Sequence, residues 1–140
     1  KGDFVQELSE EAIETHIARI SEAPSELSLM HLYPIDGAVH RVASGDTAWS
    51  TRNARWSMVI AAIDAAPEKA EELKRWGRSY WKAIHSFNLE GAYVNFMMDD
   101  EDDNRVMASY DSNYQRLADV KKKYDPENLF RVNQNIAPAA

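Results

Sequence analysis

Cysteine is absent from the 140 residues of this sequence. A chain without thiols cannot form a disulfide framework, a zinc ribbon or an iron–sulfur cluster, and it has no cysteine nucleophile. Glycine is scarce as well, and its two nearest copies, Gly37 and Gly45, stand eight positions apart. The sequence therefore has no G-x-G loop that could hold a phosphate group.

Positive charge and long apolar runs are also in short supply. The chain has 16 Lys+Arg against 23 Asp+Glu, a formal net charge of −7, which predicts no nucleic-acid partner because phosphate binding needs clustered cations. No apolar run approaches the ~20 residues of a membrane span, so no membrane partner is predicted. The start at Lys1 without an apolar signal region favours a segment of a longer polypeptide, and it leaves the compartment, cytoplasmic or secreted, open.

Apolar periodicity predicts an α+β fold in this chain. Ser9 should cap a first helix whose buried face carries Ile13, Ile17 and Ile20 at i, i+4 and i+7. A long helix over residues 67–85 begins with a proline and should cover the sheet. A last helix is expected to start at a capping box and to end at an Asp-Pro pair. The predicted boundary residues of that last helix are Ser112, Gln115, Asp125 and Pro126.

Extended patterns with turn signals between them predict the strands. The strands are expected at residues 27–33, 38–42, 56–63 and 92–98, with the first two forming a hairpin and the third at the centre of the sheet. The acidic run that follows, residues 99–103, is expected to be a solvated loop. The sequence therefore predicts an antiparallel β-sheet of about four strands with helices packed on one face.

Residues 92–98 carry the first candidate for chemistry. Strand alternation would place Tyr93 and Asn95 together on an open face, with an apolar set opposite them. A phenol beside an amide can orient a substrate hydroxyl, or take its proton if something lowers the phenol pKa from its usual ~10. The structural alternative is that the two side chains simply satisfy each other's hydrogen bonds.

The C-terminal tail carries the second candidate. Asn133, Gln134 and Asn135 form a group of amides with many donors and acceptors, for which cap and turn bonding is the structural alternative. Phe130 and Val132, just before them, are expected to pack back into the core.

Residues 110–136 resemble the C-terminal signature of the berberine-bridge-enzyme-like family of FAD-linked oxidoreductases. The Gly91-to-Phe96 stretch resembles the family's Tyr-x-Asn-Tyr strand, and residues 37–49 more loosely resemble its substrate-domain hairpin. The signature positions in this sequence are Tyr110, Asn113, Tyr114, Arg116, Leu117, Lys121, Tyr124, Asp125, Pro126, Asn128, Phe130, Gln134, Asn135 and Ile136.

This resemblance implies that the chain is the C-terminal part of a larger flavoprotein. Residues 1–98 would belong to a substrate-binding domain and residues 99–140 to the C-terminal segment, while the N-terminal FAD-binding domain would be absent. FAD would then bind to the parent protein and not firmly to this chain alone. The implied reaction is oxidation of a carbon that bears a hydroxyl or an amine, by hydride transfer from a small-molecule substrate to the flavin.

The resemblance also assigns candidate site residues. It implies that Tyr93 and Asn95 face the flavin and the substrate, and that Asn133 and Gln134 lie in a tail that returns to the flavin. The family's second tyrosine is Phe96 here and cannot accept a proton, so Tyr93 is the local candidate for the catalytic base. His31, His40 or a residue outside this chain are the alternatives.

The four histidines show no metal-ligand spacing, so no metal site is predicted. The alternative to the enzyme reading is a free-standing α+β module that binds a ligand or a protein without flavin. If a partner domain normally covers the Tyr93 face, its absence should expose an apolar patch, and a homodimer is then expected.

Overall fold

The structure, a computed structural model, describes residues 1–98 and 100–140. Its contacts divide the chain into two compact units. Unit 1 comprises Lys1–Ile35 and Ala54–Leu89, and unit 2 comprises Asp36–Asn53 and Glu90–Ala140.

Unit 1 contains a three-stranded antiparallel sheet with helices on one face. Its strands are β1 (Gly2–Val5), β2 (Leu29–Pro34) and β3 (Trp56–Ala61), in the order β1-β3-β2. Its helices are α1 (Glu10–Ser21) and α3 (Ala70–Ile84), and α3 is preceded by a 3₁₀ turn at Pro67–Lys69. The predicted α+β class and the central position of the third strand are confirmed, while β1 went unpredicted.

The core of unit 1 lies between the sheet and α3. The inner face of β3 contributes Met58 and Ile60, and α3 contributes the fully buried Tyr80 and Ile84. Burying a large apolar side chain of this kind contributes roughly 1.5–3 kcal/mol relative to leaving it exposed. The apolar spacing along α3 therefore explains how this helix covers the sheet.

Helix α1 begins as predicted but buries a different face. The Ser9 hydroxyl accepts a hydrogen bond from the Ala12 backbone amide at 3.2 Å, as an N-cap should. Of the three isoleucines, Ile20 packs against the core as predicted, whereas Ile13 and Ile17 remain 45% and 62% exposed. A buried contact replaces them, because His16 Nδ1 lies 2.9 Å from the Tyr80 hydroxyl. The polar partner on α3 selects the face of α1 that is buried.

The predicted hairpin partner of β2 is wrong. Residues 38–42 do not form a strand, since Ala38–Arg41 is a single helical turn, α2, that follows Gly37 at a φ of 65°. The partner of β2 is β3, which pairs with it over all six residues from Leu29 opposite Ala61 to Pro34 opposite Trp56. A turn signal after a strand identifies the turn but not the distant segment that returns to pair.

The predicted fourth strand is also wrong. Residues Val94–Phe96 form a 3₁₀ turn, in which the Phe96 amide donates to the Tyr93 carbonyl at 2.8 Å. Ala92 and Met97 are the buried members, a spacing of five and not of two. Their burial against Val106 replaces the strand ladder that alternation implied.

Two helices complete unit 2. Helix α4 (Asp103–Tyr110) was not predicted, and α5 (Tyr114–Tyr124) ends before Asp125 and Pro126 as expected. The predicted Ser112 capping box is wrong, because a 3₁₀ turn at Asp111–Asn113 leads into α5 and no side chain caps it. Of the acidic run, Asp99 lies outside the described residues, and Asp102 caps α4 by accepting from the Arg105 amide at 2.9 Å.

The burial of His16 predicts a pH-dependent stability for unit 1. Burial lowers the pKa of His16 from its ordinary 6.5, so below that pH the unfolded chain binds more protons than the folded one. The free energy of unfolding should therefore be highest above about pH 6.5. It should fall as the pH drops toward the pKa of His16 in the folded state. Urea denaturation across this range measures it. His16→Gln should flatten the dependence, whereas the exposed His31→Gln should retain it, and equal curves for all three proteins contradict the assignment.

Candidate functional site

The segment after α3 is held against α4 by one glycine and one serine. Gly91 has a φ of 80°, and a Cβ on it would lie 2.8 Å from the Ser109 Cα and 2.9 Å from the Ala108 carbonyl oxygen. The buried Ser109 hydroxyl accepts from the Ala92 amide at 3.0 Å and donates to the Arg105 carbonyl at 2.9 Å. This close approach to α4 fixes the position from which residues 93–97 begin.

Tyr93 and Asn95 lie side by side, as the sequence predicts, although on a 3₁₀ turn. The Asn95 amide donates to the Tyr93 hydroxyl oxygen at 2.6 Å, and both residues are exposed. The Phe96 ring meets the Tyr93 ring edge-on, with centroids 5.2 Å apart. The phenol is therefore held in place by an amide and a ring, and its proton is not used in that amide contact.

The tail after α5 is built on the Asp125 carboxylate. Its two oxygens accept from the Leu129 amide at 2.7 Å and the Phe130 amide at 3.0 Å, and Lys121 donates to Asp125 and to the Phe130 carbonyl. The Lys121 hydrogen bond is the main cause that lowers the pKa of Asp125. Asn128 takes the positive φ, 50°, that the reversal needs. We name this arrangement of Lys121, Asp125 and residues 128–130 the tail bracket.

The bracket directs the following amides over residues 94–107. Gln134 Nε2 donates to the Met98 carbonyl at 3.1 Å. Asn133 has a φ of 60°, and the Asn135 backbone N–H donates to the Asn133 backbone carbonyl at 3.0 Å. This tight turn places the side-chain amides of residues 133, 134 and 135 in succession. Asparagine tolerates this conformation better than most residues, which gives Asn133 a backbone role beside any chemical one.

A cleft of about 890 Å³ lies within unit 2, between the tail and residues 94–114. Asn95, Asn133 and Gln134 all line it, so the structure brings the three predicted cofactor-facing residues together. Tyr93 is not among the lining residues, and its link to the cleft is its hydrogen bond with Asn95. The other lining residues are Val94, Met97, Glu101, Asp103, Val106, Met107, Tyr114, Val132, Asn135 and Ala137.

The polar wall of the cleft consists of amides and carboxylates. The Glu101 carboxylate is nearly buried and pairs with the Arg105 Nε at 2.8 Å, while Asp103 stands at the first turn of α4. The Asn135 Oδ1 is buried and has no hydrogen-bond partner among the described residues. Such a wall suits a ligand that offers N–H or O–H donors and disfavours a phosphate group.

The predicted packing of Phe130 and Val132 into the core is wrong. Their exposed fractions are 76% and 82%, and the neighbouring Leu129 is 75% exposed. The physical reason is the tail bracket, which binds the backbone of residues 129 and 130 and turns their side chains away from the unit.

Two signature residues hold the loop before β3. The buried Asn113 amide lies 2.6 Å from the Ser44 carbonyl oxygen and 3.0 Å from that of Thr47, and Arg116 donates to the Gly45 carbonyl at 3.0 Å. Burial raises the pKa of Tyr110, which packs against the small core of unit 2. These signature positions are therefore explained by structure and not by chemistry.

The other candidate bases lie outside the cleft. His31 Nδ1 is 3.2 Å from the Tyr33 hydroxyl, and both side chains are exposed on β2. Sequence reasoning missed Glu101 and Asp103 as wall residues, because a run of acidic residues usually indicates solvent.

Neither a metal cluster nor a bilayer-spanning helix is found over residues 1–98 and 100–140. There, no three His, Asp or Glu side chains are grouped as metal ligands require. Within the same ranges, no helix combines the length and the apolar character that crossing a bilayer demands.

The chain is similar in sequence to known proteins. Residues 92–137 match the family described as berberine and berberine like. Over 98% of its length the chain is 33% identical to the uncharacterized FAD-linked oxidoreductase YgaK of Bacillus subtilis, of which it covers 30%. It is 27% identical to monolignol oxidoreductase AtBBE-like 13 of Arabidopsis thaliana over 97% of this chain and 28% of that protein.

The fold has known counterparts as well. The structure of Physcomitrella patens BBE-like 1 matches all of this chain and 30% of its own, with a TM-score of 0.85 and 26% identity. The chain thus spans about a third or less of the relatives it matches, and the predicted resemblance to the C-terminal part of berberine-bridge-enzyme-like proteins is confirmed.

The glycine at position 91 gives a direct test of how the cleft is built. Gly91→Ala should destabilise unit 2 by about 1–3 kcal/mol, because it adds backbone strain at a positive φ and a contact with the α4 backbone. Urea denaturation measures the change. Gly45→Ala is the matched control, since nothing lies within 4 Å of its added Cβ and it should unfold like the wild type. Equal stability of the two variants contradicts this account.

Proposed function

Since the chain resembles the C-terminal part of berberine-bridge-enzyme-like FAD-linked oxidoreductases, we propose that it forms the substrate side of an FAD-dependent oxidase. The parent protein would oxidise a carbon that bears a hydroxyl or an amine. In this proposal residues 1–98 belong to the substrate-binding domain, residues 99–140 form the C-terminal segment, and the FAD-binding domain of the same polypeptide is the partner.

The observation that carries the proposal is the cleft in unit 2. Three side chains that the family resemblance assigns to the flavin side, Asn95, Asn133 and Gln134, line one cleft although up to 39 residues separate them in sequence. They arrive there on a 3₁₀ turn and on a tail held by the bracket. The sequence similarity to FAD-linked oxidoreductases, which extends over nearly the whole chain, supports the same reading.

The donor set of the cleft fits one end of FAD. Carboxamides both donate and accept, which matches the alternating N–H and carbonyl groups along the pyrimidine edge of a flavin ring. The unpartnered Asn135 Oδ1 supplies one further acceptor for an N–H. Asn95, Asn133 and Gln134 would hold that edge, and the flavin would supply the hydride acceptor.

The same wall does not fit the phosphates of FAD. Glu101 and Asp103 place carboxylates on the cleft, and the glycine-poor sequence offers no phosphate loop. Firm cofactor binding therefore requires the FAD-binding domain. The present residues position the ring and the substrate, and they do not anchor the nucleotide.

Tyr93 is the proposed catalytic residue. Its phenol is exposed, and Asn95, which lines the cleft, holds its oxygen, so a substrate hydroxyl that reaches it meets an oriented partner. Only its deprotonated form, the phenolate, can act as the base; it would accept the hydroxyl proton while the carbon gives up its hydride to the flavin. Phe96 packs edge-on against Tyr93 and supports its position without exchanging protons.

The spectrum of the intact parent protein tests the proposal. The purified full-length protein should show a flavin band near 450 nm, roughly the position common to flavoproteins. Under anaerobic conditions, glucose or coniferyl alcohol, one probe from each of two substrate classes that bear hydroxyls, should bleach that band. A full-length protein that contains no flavin and retains none after addition of FAD would instead favour the free-standing α+β module.

Asn133 separates a cofactor role from a backbone role. Asn133→Gly keeps the positive φ and removes the amide, whereas Asn133→Ala removes the amide and strains the turn. If the amide binds flavin, both variants should bind FAD several-fold more weakly, and only the alanine variant should lose about 1 kcal/mol of stability. Flavin fluorescence titration and thermal unfolding of the full-length protein measure these effects. A glycine variant that binds FAD like the wild type shows that the residue serves the backbone alone.

A further inference from the structure

The proposed function leaves one side of the unit 2 cleft without a role. Asp103, Val106 and Met107 stand at i, i+3 and i+4 of α4, so they share one face of that helix, and all three line the cleft. We name these three residues the α4 wall. The amides assigned to the flavin lie on other segments, and the α4 wall is therefore a surface that the substrate can use.

The charge on this side of the cleft is negative. Of the described residues that line the cleft, none is a lysine, an arginine or a histidine, whereas Glu101 and Asp103 carry carboxylates. The Glu101 carboxylate is nearly buried and already paired with Arg105. Asp103 is exposed in the first turn of α4, where the helix dipole favours a negative charge. Asp103 is therefore the carboxylate that a ligand in the cleft can contact.

The tail adds a buried hydrogen-bond acceptor to the same cleft. The Asn135 Oδ1 is buried, and it has no hydrogen-bond partner among the described residues. A buried acceptor of this kind is stabilised by a ligand that brings N–H donors. An ammonium group carries three such donors and no acceptor, and its positive charge also complements Asp103.

The rest of the surface next to Asp103 is apolar. Val106 is nearly buried, whereas Met107 is 43% exposed and presents a flexible, polarisable thioether. Val94 and Met97, which pack against Val106, continue this apolar surface along the cleft. A ligand that places an ammonium group at Asp103 would therefore lay a hydrocarbon body against these side chains.

We infer that the α4 wall is a subsite for a protonated amine, and that the substrate of the parent protein is an organic cation with an apolar body. The inference rests on the proposed function and narrows its substrate class, because neutral sugars lack the charge that pairs with Asp103. The cation is a handle for binding and takes no part in the transfer of the hydride or the proton.

Three compounds with one carbon skeleton and different charges test the subsite. They are phenethylamine, phenethyl alcohol and phenylacetate, which at neutral pH are a cation, a neutral molecule and an anion. Calorimetric titration of the full-length protein measures the three dissociation constants without any turnover. Phenethylamine should bind about fivefold more tightly than phenethyl alcohol, and phenylacetate more weakly than both, and the preference should shrink at high salt because counterions screen exposed charges.

Asp103→Asn removes the charge and keeps the shape of the side chain. Binding of phenethylamine should weaken about two- to fivefold, the effect of an exposed ion pair, whereas binding of phenethyl alcohol should not change. Asp119→Asn is the matched control, because Asp119 is exposed on α5 of the same unit, bonds to Gln115 and lies outside the cleft lining. This control variant should bind all three compounds like the wild type.

Met107→Lys tests the same wall in the opposite direction. The exposed position accommodates a lysine stem, and the added cation should make phenylacetate bind more tightly than phenethylamine. If Asp103→Asn fails to fold, this reversal decides the question, and an unchanged order of affinities counts against the subsite.

The outcomes separate this inference from the proposed function. Equal affinities for phenethylamine and phenethyl alcohol, no binding of phenethylamine, or equal effects of Asp103→Asn and Asp119→Asn overturn the amine subsite. A full-length protein with a flavin band that glucose bleaches, but with no preference for phenethylamine, supports the proposed function and overturns the subsite. A protein that binds no FAD and still prefers phenethylamine through Asp103 contradicts the proposed function and supports the subsite.

Discussion

The Asp3 carboxylate is completely buried in β1, and unit 1 is organised around the hydrogen bonds that it requires. Its oxygens accept from Trp81 at 2.9 Å and from His85 and Asn88 at 3.0 Å, of which Trp81 lies in the last turn of α3 and the other two follow that helix. Breaking a buried charged set of this kind typically costs about 3–5 kcal/mol. The end of α3, and with it the point where the chain enters unit 2, therefore depends on a residue more than 75 positions away.

Local signals in the sequence were sufficient to predict where several helices begin or end. The Ser9 cap, Pro67 before α3 and the Asp125-Pro126 stop all act within one turn of the chain, and all are found where they were predicted. Which face of a helix is buried, and whether a segment forms a strand, was determined by residues distant in sequence. The face of α1 follows from the bond between His16 and Tyr80, 64 positions apart, and the 3₁₀ turn at Val94–Phe96 follows from packing on α4. Periodicity carries no information about such partners.

In the candidate site, too, local sequence signals predicted some features, and contacts between distant residues determined the others. Tyr93 and Asn95 were expected together because strand alternation brings i and i+2 to one face, and they are together on a 3₁₀ turn for a different reason. The convergence of Asn133 and Gln134 on Asn95 came only from the family resemblance, because no local rule brings a tail back to a segment 38 residues earlier. Glu101 was missed since its burial depends on pairing with Arg105, which needs the unpredicted α4.

Five of the fourteen signature residues that carry the resemblance have a structural explanation in the contacts of this chain. Asn113 and Arg116 hold the loop at residues 44–48, Lys121 and Asp125 hold the tail, and Asn128 supplies the reversal. None of these groups needs a flavin to explain it. The signature therefore predicts the path of the tail, whereas the chemistry depends on side chains that this path delivers. Phe96 illustrates this difference between backbone path and chemistry. The backbone around it resembles the family pattern, but a phenyl ring stands where the family has a tyrosine that could exchange a proton.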